Sequence, residues 1–365
     1  MSLRWNPPCT RLVLVLTMIV ATVLTVVYFK GSNFVANIPR TELSSVNNLH
    51  IKLGNIQNAI SELSWDIKER ENEIQPQVEV RTKPSLQAQP FKKKIPWQGI
   101  AYRRTNGSWV ADDSVCTEDE VFDRATLKTP AGNTPIFIHD VVVDRSVSKR
   151  LKAVGNWEPE VMYTAFEALK ENKDHVFVDV GGNIGTFSLA AAKLGHRVIS
   201  VEPYAMNTKR LCRGVVKGGF AGQMFVIYNA MSYVRETISF KVFPKEAAMT
   251  RIVKATNTKP SSDAVTTIQM NDLLEMFDIK SAVLKMDCED HEVDVMKGAE
   301  IFFKVVDVRM VIIEWDKLYK NPETPYIIEM MERFKFKPYT IGKDAKPLNI
   351  SEYNQWNIRN IVFKR

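Results

Sequence analysis

The chain has 365 residues, of which 45% are hydrophobic and 25% charged. That composition excludes a wholly disordered, collagen-like or multi-span membrane protein, and four cysteines exclude a disulfide-dense scaffold. Lysine and arginine total 49 against 42 acids, a net +7 that suits an acidic partner or an anionic membrane surface. No zinc-finger spacing or RNA-binding aromatic signature occurs, so a nucleic-acid partner is not expected.

Residues 12–29 form an uncharged apolar run, long enough for a short membrane-spanning helix. Arg4 and Arg11 precede it and Lys30 follows, which puts the N-terminus on the cytoplasmic side. A cleaved signal peptide is the alternative. The run is longer than the usual signal core and ends in Tyr28-Phe29-Lys30 rather than small residues, which favours an uncleaved anchor. The expected protein is single-pass type II, with its catalytic part in the lumen of the endoplasmic reticulum or Golgi. Cys9, just before the span, is a site for palmitoylation or an unmodified thiol.

A stem occupies residues 30–74. Val46, Leu49, Leu53, Ile56, Ile60, Leu63 and Ile67 step by three and four, and Ile74 lies one heptad further on. The spacing fits a coiled coil better than a single amphipathic helix and predicts a homodimer, weakened by Gly54. Residues 75–98, with four prolines and three consecutive lysines, read as a linker. Residues 99–160 are expected to form an N-terminal cap over the acceptor site, and 161–365 the catalytic domain. Asn106-Gly107-Ser108 and Asn349-Ile350-Ser351 are glycosylation sequons that agree with a lumenal location. Cys116, Cys212 and Cys288 permit one intrachain disulfide, of unreadable pairing.

The chemistry begins at residue 176. A buried-type strand over 176–180 leads through Gly181-Gly182-Asn183-Ile184-Gly185 into a helix over 186–194. Glycines there allow backbone angles barred to other residues and close approach to a ligand at a helix N-terminus. A second strand, 196–201, ends in Glu202, an acid placed to accept hydrogen bonds from ribose hydroxyls. The glycine spacing is not that of the dinucleotide fingerprint. Further strands are expected at 224–228, 282–286, 308–313 and 358–363, with helices over 161–169, 208–217 and 293–303 and a short one within 266–277. The alternation predicts a doubly wound, mostly parallel α/β sheet of Rossmann-like type. Asp179, Glu202, Asn229, Asp287 and Glu314 fall at the strands' carboxyl ends, where such sheets bind ligands.

Residues 178–188, Val201-Glu202-Pro203, Asn229-Ala230-Met231-Ser232, Leu284 to Glu289 and Val295 to Ala299 together resemble the motifs of FkbM-type S-adenosylmethionine-dependent methyltransferases. The resemblance runs from about 160 to 315. It departs from the family at Glu289-Asp290-His291-Glu292, where the family usually reads Glu-Gly-Ala-Glu, and this bears on the acceptor side. The resemblance implies a class I methyltransferase fold with S-adenosylmethionine as cofactor. It implies that Gly181, Gly182, Asn183 and Gly185 line the cofactor, Asp179 fixes the loop or the amino group, Glu202 holds the ribose and Asn229 lies near the adenine. Asp287 would sit beside the reacting methyl.

A hydroxyl acceptor must lose its proton as the new bond forms. Asp287, Glu289 and His291 are the candidate bases; an exposed helix-start role for His291 and a helix-dipole role for Glu289 are the bland alternatives. So few ligands close in sequence do not define a metal site, and none is expected. The anchor and stem point to O-methylation of a lumenal hydroxyl, such as one on a glycan. A lumenal glycosyltransferase is disfavoured because no Asp-x-Asp pair occurs; a non-catalytic scaffold keeping the fold is the third reading.

Overall fold

The computed structural model describes residues 100–117, 119–243, 246–254 and 264–365. The expected anchor, stem and linker lie outside the described residues. Among the described residues no helix is long and apolar enough to cross a membrane.

The described chain opens with a hairpin of β1 (Ala101–Thr105) and β2 (Ser108–Ala111). Asn106 and Gly107 turn it with φ of 49° and 78°, as a two-residue type I′ turn demands. A second hairpin, β3 (Asp123–Thr129) and β4 (Gly132–Ile138), pairs by itself. Helices α1 (Val147–Val154) and α2 (Pro159–Glu171) follow. Strands and helices then alternate as β5 (Val176–Val180), α3 (Thr186–Lys193), β6 (Val198–Val201), α4 (Ala205–Lys217) and β7 (Met224–Ile227). Next, β8 (Ala230–Met231), β9 (Thr237–Phe243), β10 (Glu246–Lys254) and β11 (Val265–Ile268) make a separate four-stranded sheet. The chain closes with α5 (Leu273–Met276), β12 (Ser281–Met286), α6 (Glu292–Lys297), α7 (Glu300–Val305), β13 (Asp307–Glu314), α8 (Thr324–Arg333), β14 (Lys337–Thr340) and β15 (Asn360–Lys364).

The main sheet has nine strands in the order β14-β15-β13-β12-β5-β6-β7-β1-β2. The run from β13 to β1 is parallel, and β15 returns antiparallel beside β13. The chain works outward from β5 to β7, then crosses back to lay β12 on the other side of β5. That reversal opens a crevice at the carboxyl ends of β5 and β12.

Side chains alternate faces along each strand. Val176, Val178 and Val180 enter one apolar layer with Leu284, Met286, Phe302 and Ile327, whereas Phe177 and Val283 enter the other with Phe166, Leu189 and Leu211. Burial on both faces explains why the inner strands read as continuous apolar runs rather than alternating ones.

Three sequence expectations are refined. The helix expected over 293–303 is two helices, α6 and α7, broken at Gly298, where a Cβ would stand 2.9 Å from the Ser232 carbonyl oxygen. The stretch expected as a cap is divided in role: β1 and β2 extend the sheet, while Ser146, Val147 and Trp157 line the cleft. The open cysteine pairing resolves as Cys116–Cys212, with Cα atoms 5.1 Å apart and Cys288 free.

Candidate cofactor and active site

The ends of β5, β6, β12 and β13 open into one cleft of about 410 Å³. One end is built by the loops after β5 and β6. Gly181 leaves β5 at φ +81° and lies so close to β12 that a Cβ would stand 1.9 Å from the Asp287 carbonyl oxygen. A side chain there would separate the two central strands. Gly182 is closed in by Ser200, whose Oγ would be 2.0 Å from a Cβ, and Gly185, at φ +95°, by Leu211 at 2.3 Å. These glycines are therefore demanded by packing of the loop on its neighbours. Gly181, Gly182 and Asn183 line the cleft; Gly185 does not, and instead starts α3.

Glu202 lines the same end and is only 5% exposed. Its Oε2 accepts the Asn183 N–H at 2.8 Å, and its Oε1 accepts the Tyr204 N–H at 2.9 Å and Asn207 Nδ2 at 3.3 Å. Burial pushes its pKa up to about 7 despite these donors. Asp179 lies beneath the loop. It is fully buried, accepts a hydrogen bond from Ser188 Oγ at 2.5 Å, and is raised by burial more than Lys285 lowers it. Asn229 is also fully buried and away from the cleft. Its Oδ1 accepts the Arg104 N–H and its Nδ2 donates to the Arg104 and Thr266 carbonyls, which pins β1 to the sheet. Ala230 and Met231 form the wall after β7.

The other end is rich in charge. Lys285, 3% exposed, places Nζ 3.2 Å from Asp287 Oδ2, 3.9 Å from Asp179 Oδ1 and 4.6 Å from the Phe187 ring centre. Burial alone would lower its pKa; Asp287, Asp179 and Glu158 outweigh that and raise it. Burial likewise works against ionised Asp287, but Lys285 prevails and holds it below the usual carboxylate range. Glu314, at the end of β13, is pushed up to about 9, first by burial and then by Asp287 and Glu289. Lys285 thus favours the ionised form of Asp287, while burial and the neighbouring carboxylates favour the protonated form of Glu314. Arg359 spans Glu158 at 3.3 Å and Glu314 at 3.4 Å.

Glu289 and Asp290 take φ of 52° and 79° in the turn after β12, and Lys317 bridges them at 3.5 and 3.1 Å. Burial raises the Glu289 pKa. His291 lines the cleft as the residue before α6, its Nδ1 3.7 Å from Asp294 Oδ2. Asp287, Glu289 and Glu314 offer oxygens within 4.8 Å of one another, a spacing compatible with a cation. Lys285 and Arg359 already neutralise part of that charge.

The structure thus brings Gly181, Gly182, Asn183, Glu202, Asp287, Glu289 and His291 to one cleft, and leaves Asp179, Gly185 and Asn229 behind its walls. Sequence reasoning missed Lys285, Arg359, Glu158, Trp157 and Asn207, and gave Glu314 no role in the site. Lys285 carried a signal: a cation inside an apolar strand must meet a carboxylate when buried. Arg359 carried none, because β15 brings it in from far along the chain.

Residues 179–338 match the Methyltransferase FkbM domain. No curated protein sequence matches the chain significantly. Among solved structures, an O-methyltransferase from Bacillus cereus in complex with SAH is 10% identical, covering 60% of this chain and 86% of that chain with a TM-score of 0.33. A SAM-dependent O-methyltransferase from Thermotoga maritima is 10% identical, covering 72% and 84% with a TM-score of 0.31. A precorrin-6y C5,15-methyltransferase from Geobacter metallireducens is 11% identical, covering 56% and 88%, also at 0.31. These likenesses carry no argument about substrate. The matched FkbM domain is an S-adenosylmethionine-dependent methyltransferase domain, and its cofactor is S-adenosylmethionine. The Glu202 end fits that cofactor's nucleoside, since a nearly buried carboxylate on the cleft wall is an acceptor for ribose hydroxyls.

Proposed function

We propose that this protein methylates a hydroxyl of a lumenal acceptor such as a glycan, with Asp287 taking the hydroxyl proton. The observation that carries the reading is the Asp287 carboxyl group in the same cleft as Glu202, held at 3.2 Å by Lys285. Bound S-adenosylmethionine supplies an electrophilic methyl group on a sulfonium. Gly181, Gly182, Asn183 and Glu202 would hold it, with Glu202 as acceptor for the ribose. The protein aligns the acceptor oxygen and removes its proton; alignment alone supplies much of the rate. Glu289 and His291 sit nearby as partners for the acceptor's other polar groups, and Trp157 offers an aromatic face.

Asp287→Asn is expected to lower methyl transfer from labelled S-adenosylmethionine to a secretory glycan fraction by about 100-fold or more. Its affinity for S-adenosylhomocysteine should stay within about threefold of wild type, because uncharged Asn keeps the shape of the wall. Label appearing in protein or lipid instead of glycan would refute the acceptor.

The lumenal location is supported by the Cys116–Cys212 disulfide, a bond that persists in oxidising compartments. The anchor at 12–29 and a homodimer through 46–74 belong to the same proposal. Asn106 is exposed on a turn, and Asn349 is exposed just before the short helical stretch Ile350–Gln355. A chain made in cells with a secretory pathway should run faster on a gel after glycosidase treatment, and the shift should vanish in Asn106→Gln/Asn349→Gln. A wild-type chain with reduced cysteines and no such shift would contradict the location.

A further inference from the structure

We infer that His139 and Asn207 are positioning residues for Glu202, so that the segment before the matched domain controls the acceptor carboxylate of the cofactor site. The inference rests on the cofactor reading above. His139 directly follows β4 and is 5% exposed. Its Nε2 lies 2.7 Å from Asn207 Oδ1, and Asn207 Nδ2 donates to Glu202 Oε1 at 3.3 Å. Chemistry fixes the direction of this chain. An ionised carboxylate only accepts, so the amide NH2 faces Glu202, the amide oxygen faces the imidazole, and Nε2 carries the hydrogen. Burial, then Arg210, holds the His139 pKa below its usual value, which leaves a neutral ring with the hydrogen on Nε2.

The backbone that carries the ring is anchored as well. The His139 N–H donates to Ser148 Oγ at 3.0 Å, and Ser148 Oγ donates to Asp144 Oδ2 at 2.6 Å. From α4, Arg210 donates to the Ile138 carbonyl at 3.0 Å and lies over the Phe122 ring at 4.4 Å. The Cys116–Cys212 bond fastens the same segment to the same helix. His139, Ser148 and Asp144 all precede residue 179, where the match to the methyltransferase domain begins. The imidazole end of the device is therefore supplied by the segment before the matched domain.

The consequence concerns the charge on Glu202. Its neighbours divide: Asp179 from β5 raises its pKa, while the Tyr204 and Asn183 N–H groups and the Asn207 amide lower it. On His139, Arg210 acts to lower the pKa, and Asn207 and Asp144 to raise it. Without the imidazole hydrogen, the Asn207 oxygen loses its buried donor and the amide is free to turn from Glu202. The carboxylate then stays protonated to higher pH and accepts a ribose hydroxyl less well.

The test is calorimetric binding of S-adenosylhomocysteine to the full chain between pH 5.5 and 9.5. In the wild type, affinity should rise with pH and level off above a midpoint near 7, where Glu202 ionises. His139→Phe should move the midpoint up by about half a unit or more, weakening binding at pH 7 about twofold or more and recovering it at pH 9.5. His139→Gln, which can donate to the same oxygen, should restore the wild-type midpoint. If His139→Phe does not fold, Asn207→Ala on the cleft wall should give the same upward shift. An unmoved midpoint, or a weakening equal at every pH, overturns the inference. No binding by a folded wild-type chain would instead overturn the cofactor reading on which it rests.

Discussion

Glu202→Ala should lower the affinity for S-adenosylhomocysteine about a hundredfold. The carboxylate lines the cleft, is nearly buried, and is the only acidic side chain among those lining the cofactor end. A hydrogen bond to a charged group contributes about 1.5–3 kcal/mol, and a hundredfold corresponds to about 2.7 kcal/mol. Truncation also frees the Asn183 and Tyr204 N–H groups, so the loop loses the acceptor that holds its shape. Glu202→Gln keeps one acceptor oxygen and should fall between, about tenfold weaker at pH 8. At that pH the burial that raises Glu202 also makes its charge unfavourable to the empty fold. Because the folded state holds the proton more tightly, this group's effect on stability worsens from about pH 4.5 to 7 and is constant above. Loss of binding without loss of folding is thus the expected pattern. Titration calorimetry beside a thermal melt at pH 8 reads both, and a Glu202→Ala protein that binds within threefold of wild type would remove Glu202 from the site.

The parts legible in the sequence are those set by local pattern. β5, β6, β7, β12 and β13 are mostly apolar runs because both faces of the sheet are covered, and β6, β12 and β13 end where Glu202, Asp287 and Glu314 meet the cleft. The loop after β5 and Glu202 could be placed for the same reason. What failed depended on distance. Asn229 looked like a ligand group because it stands at a strand end, yet its amide is engaged by the backbones of Arg104 and Thr266, while Asp179 lies beneath the loop with Oδ2 held by Ser188. A strand end says which edge a residue occupies, not which way its side chain turns. Glycines misled similarly: Gly185 is required by Leu211 rather than by the cleft. Trp157, Arg359 and His139 reach the cleft or its supports from segments with no recognisable motif, through α2, β15 and β4. The small sheet of β8 to β11 was missed because it interrupts the alternation between β7 and β12 that the rest of the domain obeys.

Replacing the disulfide, Cys116→Ala/Cys212→Ala, should destabilise the protein by about 3–4 kcal/mol and lower its melting temperature by roughly 10 °C. The bond spans 96 residues, so in the unfolded chain it closes a long loop and removes much conformational entropy. It is also local in its effect. Cys212 sits on the buried face of α4, two residues from Arg210, and Cys116 ends the helical turn that follows β2. Cutting the link leaves the segment holding His139 fastened to α4 by Arg210 at Phe122 and Ile138, by Arg213 at the Thr117 and Glu120 carbonyls, by Lys209 at Glu120 and by Asn207. Those are part-exposed or single interactions, so the segment should loosen before the sheet does. Hydrogen exchange on the disulfide-free variant should therefore speed up over residues 113–140 well before it does in β5 and β12. Equal acceleration throughout would mean that the bond acts on the unfolded chain alone. If melting temperature and exchange both stay unchanged, the two cysteines are not paired in the folded protein. In that case the oxidising compartment loses its structural support, and His139 is held by Asn207, Ser148 and the Arg210 contact at Ile138 without a covalent link.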